Sequence, residues 1–270
     1  MIINKGELVM KRLHVLSAGV AATAAKDTTS KWNAANPDFP AILDCGSSVD
    51  LINRVLCGEP CDILILADYI IIEKLMMPKY ADGYYIFAGN SMVLRAAEGN
   101  DINDNNWAET LLNPKTIFTH NDPFGDPGGY RAVMTMKLAD TYEPGLSAKL
   151  FDHPGYIGLE LNKNENDKPP YNYMFYYYTG ALASGLPFAN LPATMNLSDE
   201  SLSDIYAKAS FKIDDKNTII GTPICHAVTI PCNSQYPTQA REFTDMFLQY
   251  DFEEKGFLPR RGNTNITLPK

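Results

Sequence analysis

Three short, mostly apolar runs near the start of the chain are each followed by a turn of small or polar residues and then by a segment with helical spacing. The runs are residues 13–16, 41–44 and 62–66, and the helical segments are 20–32, 49–56 and 69–76. Short apolar runs predict buried strands, and apolar residues at i, i+3 and i+4 predict amphipathic helices. Three strand–turn–helix units in a row therefore predict a parallel sheet covered by helices, with right-handed crossovers.

The turns after these strands predict where a ligand binds. They comprise residues 17–20, 46–48 and 67–69. In open α/β sheets, ligands bind outside the carboxyl ends of the strands. The three turns are expected to lie together at that edge of the sheet.

The middle of the chain repeats the same pattern and predicts a second lobe. Residues 84–94 form a long extended segment, a strand at 116–119 leads into a loop and helix, and the aromatic run 173–179 predicts another strand. A strand at 222–231 and a helix at 238–250 then return to the first lobe. We predict a first lobe of residues 1–88 and 205–270 and a second lobe of residues 89–204.

The loop 122–131 contains two Pro and three Gly and delivers Asp126 to the start of a helix. The unpaired N–H groups of a helix start attract anions. Two interpretations of Asp126 are open at this point: an ordinary helix N-cap, or a carboxylate that faces a ligand.

Charge and composition narrow the function classes. The 270 residues contain 32 acidic and 23 basic residues, for a net charge of -9, and no Lys/Arg-rich run. A nucleic-acid partner or an anionic membrane surface is not expected. No run of 18 apolar residues exists, so no membrane-spanning helix is predicted.

Catalytic and metal-binding patterns are missing from the sequence. Its five Cys form no CxxC pair, its four His are scattered, and no Ser/His/Asp spacing or phosphate loop ending in Lys is found. We therefore predict a non-catalytic protein without a cofactor. An enzyme that uses Asp126 as a base is the less favoured alternative.

Several motifs recur in a known order between residues 13 and 257. They are Ser17-Ala18-Gly19, Gly46-Ser47-Ser48-Val49, Ala67-Asp68-Tyr69, Asp126-Pro127-Gly128-Gly129-Tyr130-Arg131, Tyr177-x-Thr179, Leu191-Pro192 and Val228-Thr229-Ile230-Pro231. In this order they resemble the substrate-binding proteins of ABC transporters for molybdate and tungstate, particularly the archaeal-type branch. The set is fairly specific because it includes Asp-Pro-x-Gly-Tyr-Arg.

The resemblance implies an α/β periplasmic-binding-protein fold of type II. Each of its two lobes is a mostly parallel sheet flanked by helices, and the ligand cleft lies between the lobes. It implies a tetrahedral oxyanion, tungstate or molybdate, held by helix N-terminal amides and hydroxyls, and a membrane permease as partner. A monomer in the periplasm or outside the cell is expected, with a lipid anchor as one option. No leader is visible in the sequence, so a cytoplasmic location stays open.

Carried over residue by residue, the resemblance also implies the ligand contacts. They are Gly19, Val20, Ser48, Ala67, Asp68, Asp126, Gly129, Tyr130, Tyr176 and Tyr177. Gly19, Val20, Gly129 and Tyr130 would contribute backbone N–H groups, and Asp126 could bond the metal of the oxyanion.

Two departures from the family pattern bear on the ligand. Val20 replaces a Ser that many relatives carry, so only its amide can contribute. Tyr176 occupies the position of a Glu that, with the Asp, completes six-fold coordination of the metal in the archaeal branch. A lone carboxylate facing a dianion is repulsive unless it bonds the metal, is protonated or caps a helix. A different small anion, a carboxylate or phosphonate, is therefore the alternative ligand.

Four of the assigned or neighbouring residues have a second interpretation. Asp68 is either a helix N-cap or a ligand contact. Tyr177 and Thr179 are either sheet residues or ligand contacts. Arg131 either pairs with a carboxylate and holds its loop, or touches the anion.

Overall fold

The computed structural model describes residues 11–158 and 171–259. The first ten residues, in which the sequence shows no leader, lie outside the described residues. Its strands are β1 Leu13–Ala18, β2 Ala41–Gly46, β3 Ile63–Leu66, β4 Tyr85–Gly89, β5 Met92–Ala96, β6 Phe118–Thr119, β7 Tyr173–Tyr177, β8 Phe188–Asn190, β9 Ser210–Lys212, β10 Thr218–Ile220 and β11 Cys225–Thr229. Its α-helices are α1 Ala22–Ala35, α2 Ser48–Leu56, α3 Tyr69–Leu75, α4 Trp107–Leu112, α5 Pro127–Lys137, α6 Leu146–Phe151, α7 Tyr178–Ser184, α8 Ser203–Tyr206 and α9 Pro237–Phe247.

The first lobe contains a five-stranded sheet in the order β2-β1-β3-β11-β4. β1 pairs in parallel with both β2 and β3, which confirms the predicted strand–turn–helix units. Leu13 and Val15 pack in the cluster that contains Trp32 of α1 and Phe243 of α9. Leu16 and Ala18 pack in the cluster that contains residues of α2 and α3. Because successive side chains of a strand face opposite sides, β1 is buried on both faces.

The second lobe contains a four-stranded sheet in the order β6-β7-β5-β8. β5 pairs antiparallel with β7 and β8, whereas β6 and β7 are parallel. β6, β7 and β8 therefore share one direction and β5 is reversed. The first sheet follows the same rule, because β11 pairs antiparallel with both β3 and β4. The prediction of two mostly parallel sheets is confirmed, with one reversed strand in each.

Both reversed strands follow a crossing between the lobes. The chain crosses through Asn90 and Ser91, between β4 and β5, and returns before β11. β9 joins neither large sheet and pairs with β10 in a separate hairpin within the described residues. The exact lobe boundaries at 88/89 and 204/205 stay predictions.

Two local predictions were wrong. The strand predicted over 173–179 ends at Tyr177, and Thr179 lies in the first turn of α7. The aromatic residues of that run favour a strand, but the small residues that follow allow a helix. Asn106 and Glu109 have the spacing of a capping box, which the sequence predicts at the start of α4. The box does not form, because the Asn106 side chain accepts a hydrogen bond from the N–H of Asn103 instead.

Close backbone contact explains Gly129 at the start of α5. A Cβ atom at this position would lie 2.4 Å from the carbonyl oxygen of Asn121 and 2.6 Å from that of Asp122. The loop before α5 therefore folds directly against the first turn of the helix. Only glycine allows this approach.

Gly129→Ala is expected to destabilise the protein by about 1–3 kcal/mol, because the added methyl group meets backbone atoms. The matched control is Gly19→Ala, where a Cβ atom would meet nothing within 4 Å. Melting of the ligand-free variants measures both. Equal melting temperatures for the two would contradict the close contact.

Candidate functional site: a cavity between the lobes

A cavity of about 440 Å³ lies between the two lobes, at the predicted edge of the first sheet. Seven of the ten predicted ligand contacts line it: Gly19, Val20, Ser48, Ala67, Asp126, Tyr176 and Tyr177. Thr179 and Asn121 line it as well. That these residues contact a ligand stays a prediction.

The wall on the first lobe is built from the ends of parallel strands. β1 ends at Ala18 and β2 at Gly46, and these two residues are partners in the sheet register. Gly19 and Val20 form a short 3-10 turn that leads into α1, and Ser48 begins α2. Parallel pairing therefore brings two helix starts side by side at the cavity.

Ser48 is buried at this wall, and its Oγ accepts a hydrogen bond of 3.0 Å from the N–H of Ala67. The next N–H of α2, from Val49, donates to the carbonyl of Gly125 in the loop before α5 at 3.1 Å. One N–H group at the start of α2 thus binds the other lobe, while the Ser48 hydroxyl remains at the cavity.

Asp126 is the N-cap of α5 and also lines the cavity, and its contact with a ligand stays a prediction. Its Oδ1 accepts the N–H of Gly128 at 2.7 Å, which caps α5, and its Oδ2 accepts the side-chain amide of Asn121 at 2.9 Å. Burial raises the pKa of the Asp126 carboxyl, and these two hydrogen bonds oppose the shift. No ion pair of Asp126 is found within residues 11–158 and 171–259, and this part of the chain contains no cluster of three metal-ligating side chains.

Gly129 and Tyr130 do not line the cavity, and their assignment as ligand amides stays a prediction. Both N–H groups donate to the carbonyl of Asp126, at 2.9 and 3.4 Å. The carbonyl of the N-cap residue Asp126 therefore already accepts the two N–H groups that were expected to bind an anion. The Tyr130 hydroxyl donates to Oδ2 of Asp68 at 2.7 Å.

Asp68 also does not line the cavity, and its assignment as a ligand contact stays a prediction. Its Oδ1 accepts the N–H of Ile70 at 3.2 Å, so the N-cap interpretation is confirmed. Its Oδ2 lies 2.7 Å from Nη2 and 2.8 Å from Nε of Arg131. Arg131 thus pairs with a carboxylate rather than with an anion in the cavity, which confirms one of its two interpretations.

Arg131 connects three parts of the chain while fully buried. Besides Asp68 at the end of β3, its Nη1 donates to the carbonyl of Thr222 at 2.7 Å, and its Nη2 lies 3.1 Å from the Thr222 hydroxyl. Arg131 itself belongs to α5 in the second lobe. The ion pair therefore holds the two lobes and the chain segment before β11 together.

The two tyrosines at the end of β7 differ in their surroundings. The ring of Tyr176 packs against Gly180, where a Cβ atom would lie 2.4 Å from the ring, and under the guanidinium of Arg95 at 4.6 Å. The hydroxyl of Tyr177 is buried and has no hydrogen-bond partner among the described residues. A buried hydroxyl without a partner is unusual in a folded protein, and Tyr177 is also one of the residues that line the cavity.

A buried network behind the cavity was not predicted. The amide of Asn90 donates to Oγ1 of Thr179 at 2.8 Å and to Nε2 of His226 at 3.0 Å. Nδ1 of His226 bonds the carbonyl of Ala67 at 2.7 Å. His226 is one of the four scattered His of the sequence, and no sequence signal marks Asn90, because its partners lie 89 and 136 residues away.

Burial lowers the pKa of His226 to about 4. The ring is therefore neutral at physiological pH. It stacks near Phe87, and the Tyr177 ring meets it edge-on with 5.5 Å between the ring centres.

With this geometry established, comparison with known proteins identifies the family. The family model for bacterial extracellular solute-binding proteins matches residues 13–255. The chain belongs to this family. Its relatives are solute-binding proteins, which are non-enzymatic components of transport systems. A solute-binding protein of Petrotoga mobilis is 32% identical over 245 residues, with 85% of this chain and 75% of the relative covered.

Two further similarities concern proteins with a named solute. The molybdate/tungstate-binding protein WtpA of Pyrococcus abyssi is 29% identical over 246 residues, which cover 79% of this chain and 70% of the relative. The periplasmic molybdate-binding protein of Azotobacter vinelandii has a similar fold, with a TM-score of 0.62 and 15% identity over 92% of this chain and all of that one. The resemblance to molybdate/tungstate-binding proteins and the two-lobe binding-protein fold are confirmed. None of the described helices has both the length and the apolar character of a membrane span.

Asp68→Asn is expected to destabilise the ligand-free protein by about 3–5 kcal/mol, because it leaves the buried charge of Arg131 without its partner. The control is Asp44→Asn, the same substitution in an exposed ion pair with Arg54, where a change of about 0–1 kcal/mol is expected. Denaturant unfolding compares them. Similar losses would show that the interlobe pair contributes no more than a surface pair.

His226 is expected to make stability depend on pH between about 6.5 and 4. Its folded-state pKa lies below the ordinary value, so in this range the unfolded state binds more protons, and stability falls as the pH falls. The full effect is up to about 3 kcal/mol. The free energies of unfolding of wild type and His226→Gln, measured across this pH range, isolate the contribution of His226, because Asp126 and His120 titrate in both proteins. Parallel pH profiles would contradict a depressed pKa of His226.

Proposed function

We propose that the protein binds a tetrahedral oxyanion, tungstate or molybdate, in the interlobe cavity and delivers it to the permease of an ABC transporter. The named solute of the Pyrococcus relative and the ordered motifs support this choice of ligand. In this proposal the protein acts outside the cytoplasm as a monomer, without a cofactor. The oxyanion is the transported solute.

The hydroxyl groups of the cavity carry the proposal. Ser48, Thr179 and Tyr177 line it from two sides, and no acceptor for their protons is found among the described residues. An oxyanion consists only of acceptors, and hydrogen bonds to a charged acceptor are about twice as strong as neutral ones. Lys255, the cation that lines the cavity within the described residues, is already paired with Glu254. Neutral donors suit a transported anion because no buried countercharge must be left behind on release.

The carboxylate of Asp126 at the cavity favours an anion that has a metal centre. A carboxylate at the cavity repels an anion unless it bonds the central atom or is protonated. Bonding to the tungsten or molybdenum atom would turn this repulsion into an attraction. Tyr176 stands where the archaeal branch carries a second carboxylate, so Asp126 would be the carboxylate that bonds the metal. Glu254, the other carboxylate at the cavity within the described residues, is paired with Lys255.

The volume of the cavity supports a closing motion of the lobes. Four oxygen atoms at the volume of a water molecule fill roughly 120 Å³. The cavity of about 440 Å³ is larger. In the proposed cycle the lobes approach each other around the ligand, as in other binding proteins that close about a hinge.

Thermal melting with tungstate, molybdate, sulfate or phosphate tests the function. Tungstate or molybdate at about 100 times its dissociation constant is expected to stabilise the dialysed protein by roughly 2.7 kcal/mol, which is roughly 5–10 °C for a chain of this size. Ser48→Ala should weaken binding by about 1–3 kcal/mol, since a donor to the anion is lost. Ser30→Ala, on the exposed face of α1, should leave binding unchanged.

The controls separate the outcomes. Metal analysis of the untreated sample checks whether an oxyanion co-purifies and hides a shift. A response to carboxylates or phosphonates alone would replace tungstate and molybdate with another anion. Equal affinity of Ser48→Ala and wild type would contradict the assigned cavity.

A further inference from the structure

Two hydroxyl groups at the cavity accept hydrogen bonds from inside the protein. Oγ of Ser48 accepts the N–H of Ala67 at 3.0 Å, and Oγ1 of Thr179 accepts the side-chain amide of Asn90 at 2.8 Å. A hydroxyl has one proton to donate and two lone pairs that accept. Because both internal partners are N–H donors, each hydroxyl keeps its own proton, and no described residue accepts it.

The orientation of the Asn90 amide follows from its four contacts. Oδ1 accepts the N–H of Ser91 at 2.9 Å and that of Thr179 at 3.4 Å, so the oxygen must face these two donors. Nδ2 then donates to Thr179 and to His226. The opposite orientation would place the NH2 group against two backbone N–H groups.

The protonation of His226 follows from the same argument. Nδ1 lies 2.7 Å from the carbonyl of Ala67, which can only accept, so Nδ1 carries the proton. Nε2 therefore accepts from Asn90. The connected groups run from Thr179 through Asn90, His226 and Ala67 to Ser48, and all five residues are buried.

We propose that Asn90 and His226 are positioning residues for ligand binding, which hold the hydroxyls of Thr179 and Ser48 as donors directed to the same ligand. Thr179 belongs to the second lobe and Ser48 to the first, so one network orients a donor on each side of the cleft. The ligand class that this suits is an anion with at least two unprotonated oxygens. The proposal rests on the function proposed above, since it concerns the same cavity.

A hydroxyl that is already aligned before the ligand binds loses less rotational freedom on binding, which increases the affinity. Neither Asn90 nor His226 belongs to the residues that line the cavity. Their effect on affinity must therefore pass through Thr179 and Ser48. A double-mutant cycle measures such coupling directly.

The test uses the full chain, tungstate as the probe, and the variants Asn90→Leu, Thr179→Val and their combination. Thr179→Val is expected to weaken binding about tenfold or more, since it removes a donor to a charged acceptor. Asn90→Leu alone should weaken it several-fold. In the Thr179→Val background, the loss from Asn90→Leu should shrink at least about threefold, because the hydroxyl that it orients is gone. Thr179→Ser keeps the hydroxyl, and there the full effect of Asn90→Leu should persist.

If the affinity loss of the double variant equals the product of the two single losses within about twofold, the positioning role is overturned. A purely structural effect of Asn90→Leu would be independent of the Thr179 hydroxyl. Ligand-free melting of every variant checks the fold. If Asn90→Leu does not fold, the same cycle is run with His226→Gln and Ser48→Ala, which are linked through Ala67. A wild type that binds neither tungstate nor molybdate would overturn the proposed function and this inference together, whereas a wild type that binds with multiplying losses overturns this inference alone.

Discussion

The buried ion pair between Asp68 and Arg131 is the interaction on which the geometry of this protein depends. Both side chains are fully buried, so each charge would be strongly unfavourable without the other. Asp68 caps α3 in the first lobe and Arg131 lies in the first turns of α5 in the second. Their contact therefore determines where α5 begins relative to the first sheet. The same helix start brings Asp126 to the cavity opposite Ser48.

Arg131 lies in a motif associated with anion binding, but its guanidinium is bound within the protein and does not line the cavity. Arg131 is neutralised by Asp68 and bonded to Thr222, so its charge serves the contact between the lobes. Besides the Glu254–Lys255 pair, the cavity is lined by hydroxyl, amide and apolar groups and by the carboxylate of Asp126. This separation suits the transport of an anion proposed above, because the positive charge of Arg131 is neutralised within the protein and does not attract the solute.

Local patterns predicted much of this structure, and long-range contacts account for the rest. The strand–turn–helix units, the cap at Asp126 and the turns at the cavity follow from residues close together in sequence. The reversed strands β5 and β11 do not, because each is inserted into a sheet only after the chain has crossed between lobes. Gly129 and Tyr130 were assigned to the ligand because the motif places them at a helix start, yet the Asp126 carbonyl already accepts their N–H groups.

The network of Asn90 and His226 joins segments that are far apart in the sequence, so local patterns do not predict it. Asn90 is the residue at which the chain leaves β4 to enter the second lobe, and His226 lies on β11, the first strand after the return. Each crossing thus contributes one polar side chain, and the two bond each other between the lobes. The lobe closure proposed above requires polar groups at the crossings to stay satisfied as the lobes move, so buried partners there are expected on physical grounds. Here those partners also reach the hydroxyls of the cavity, so the segment that connects the lobes is directly bonded to the groups that would hold the ligand.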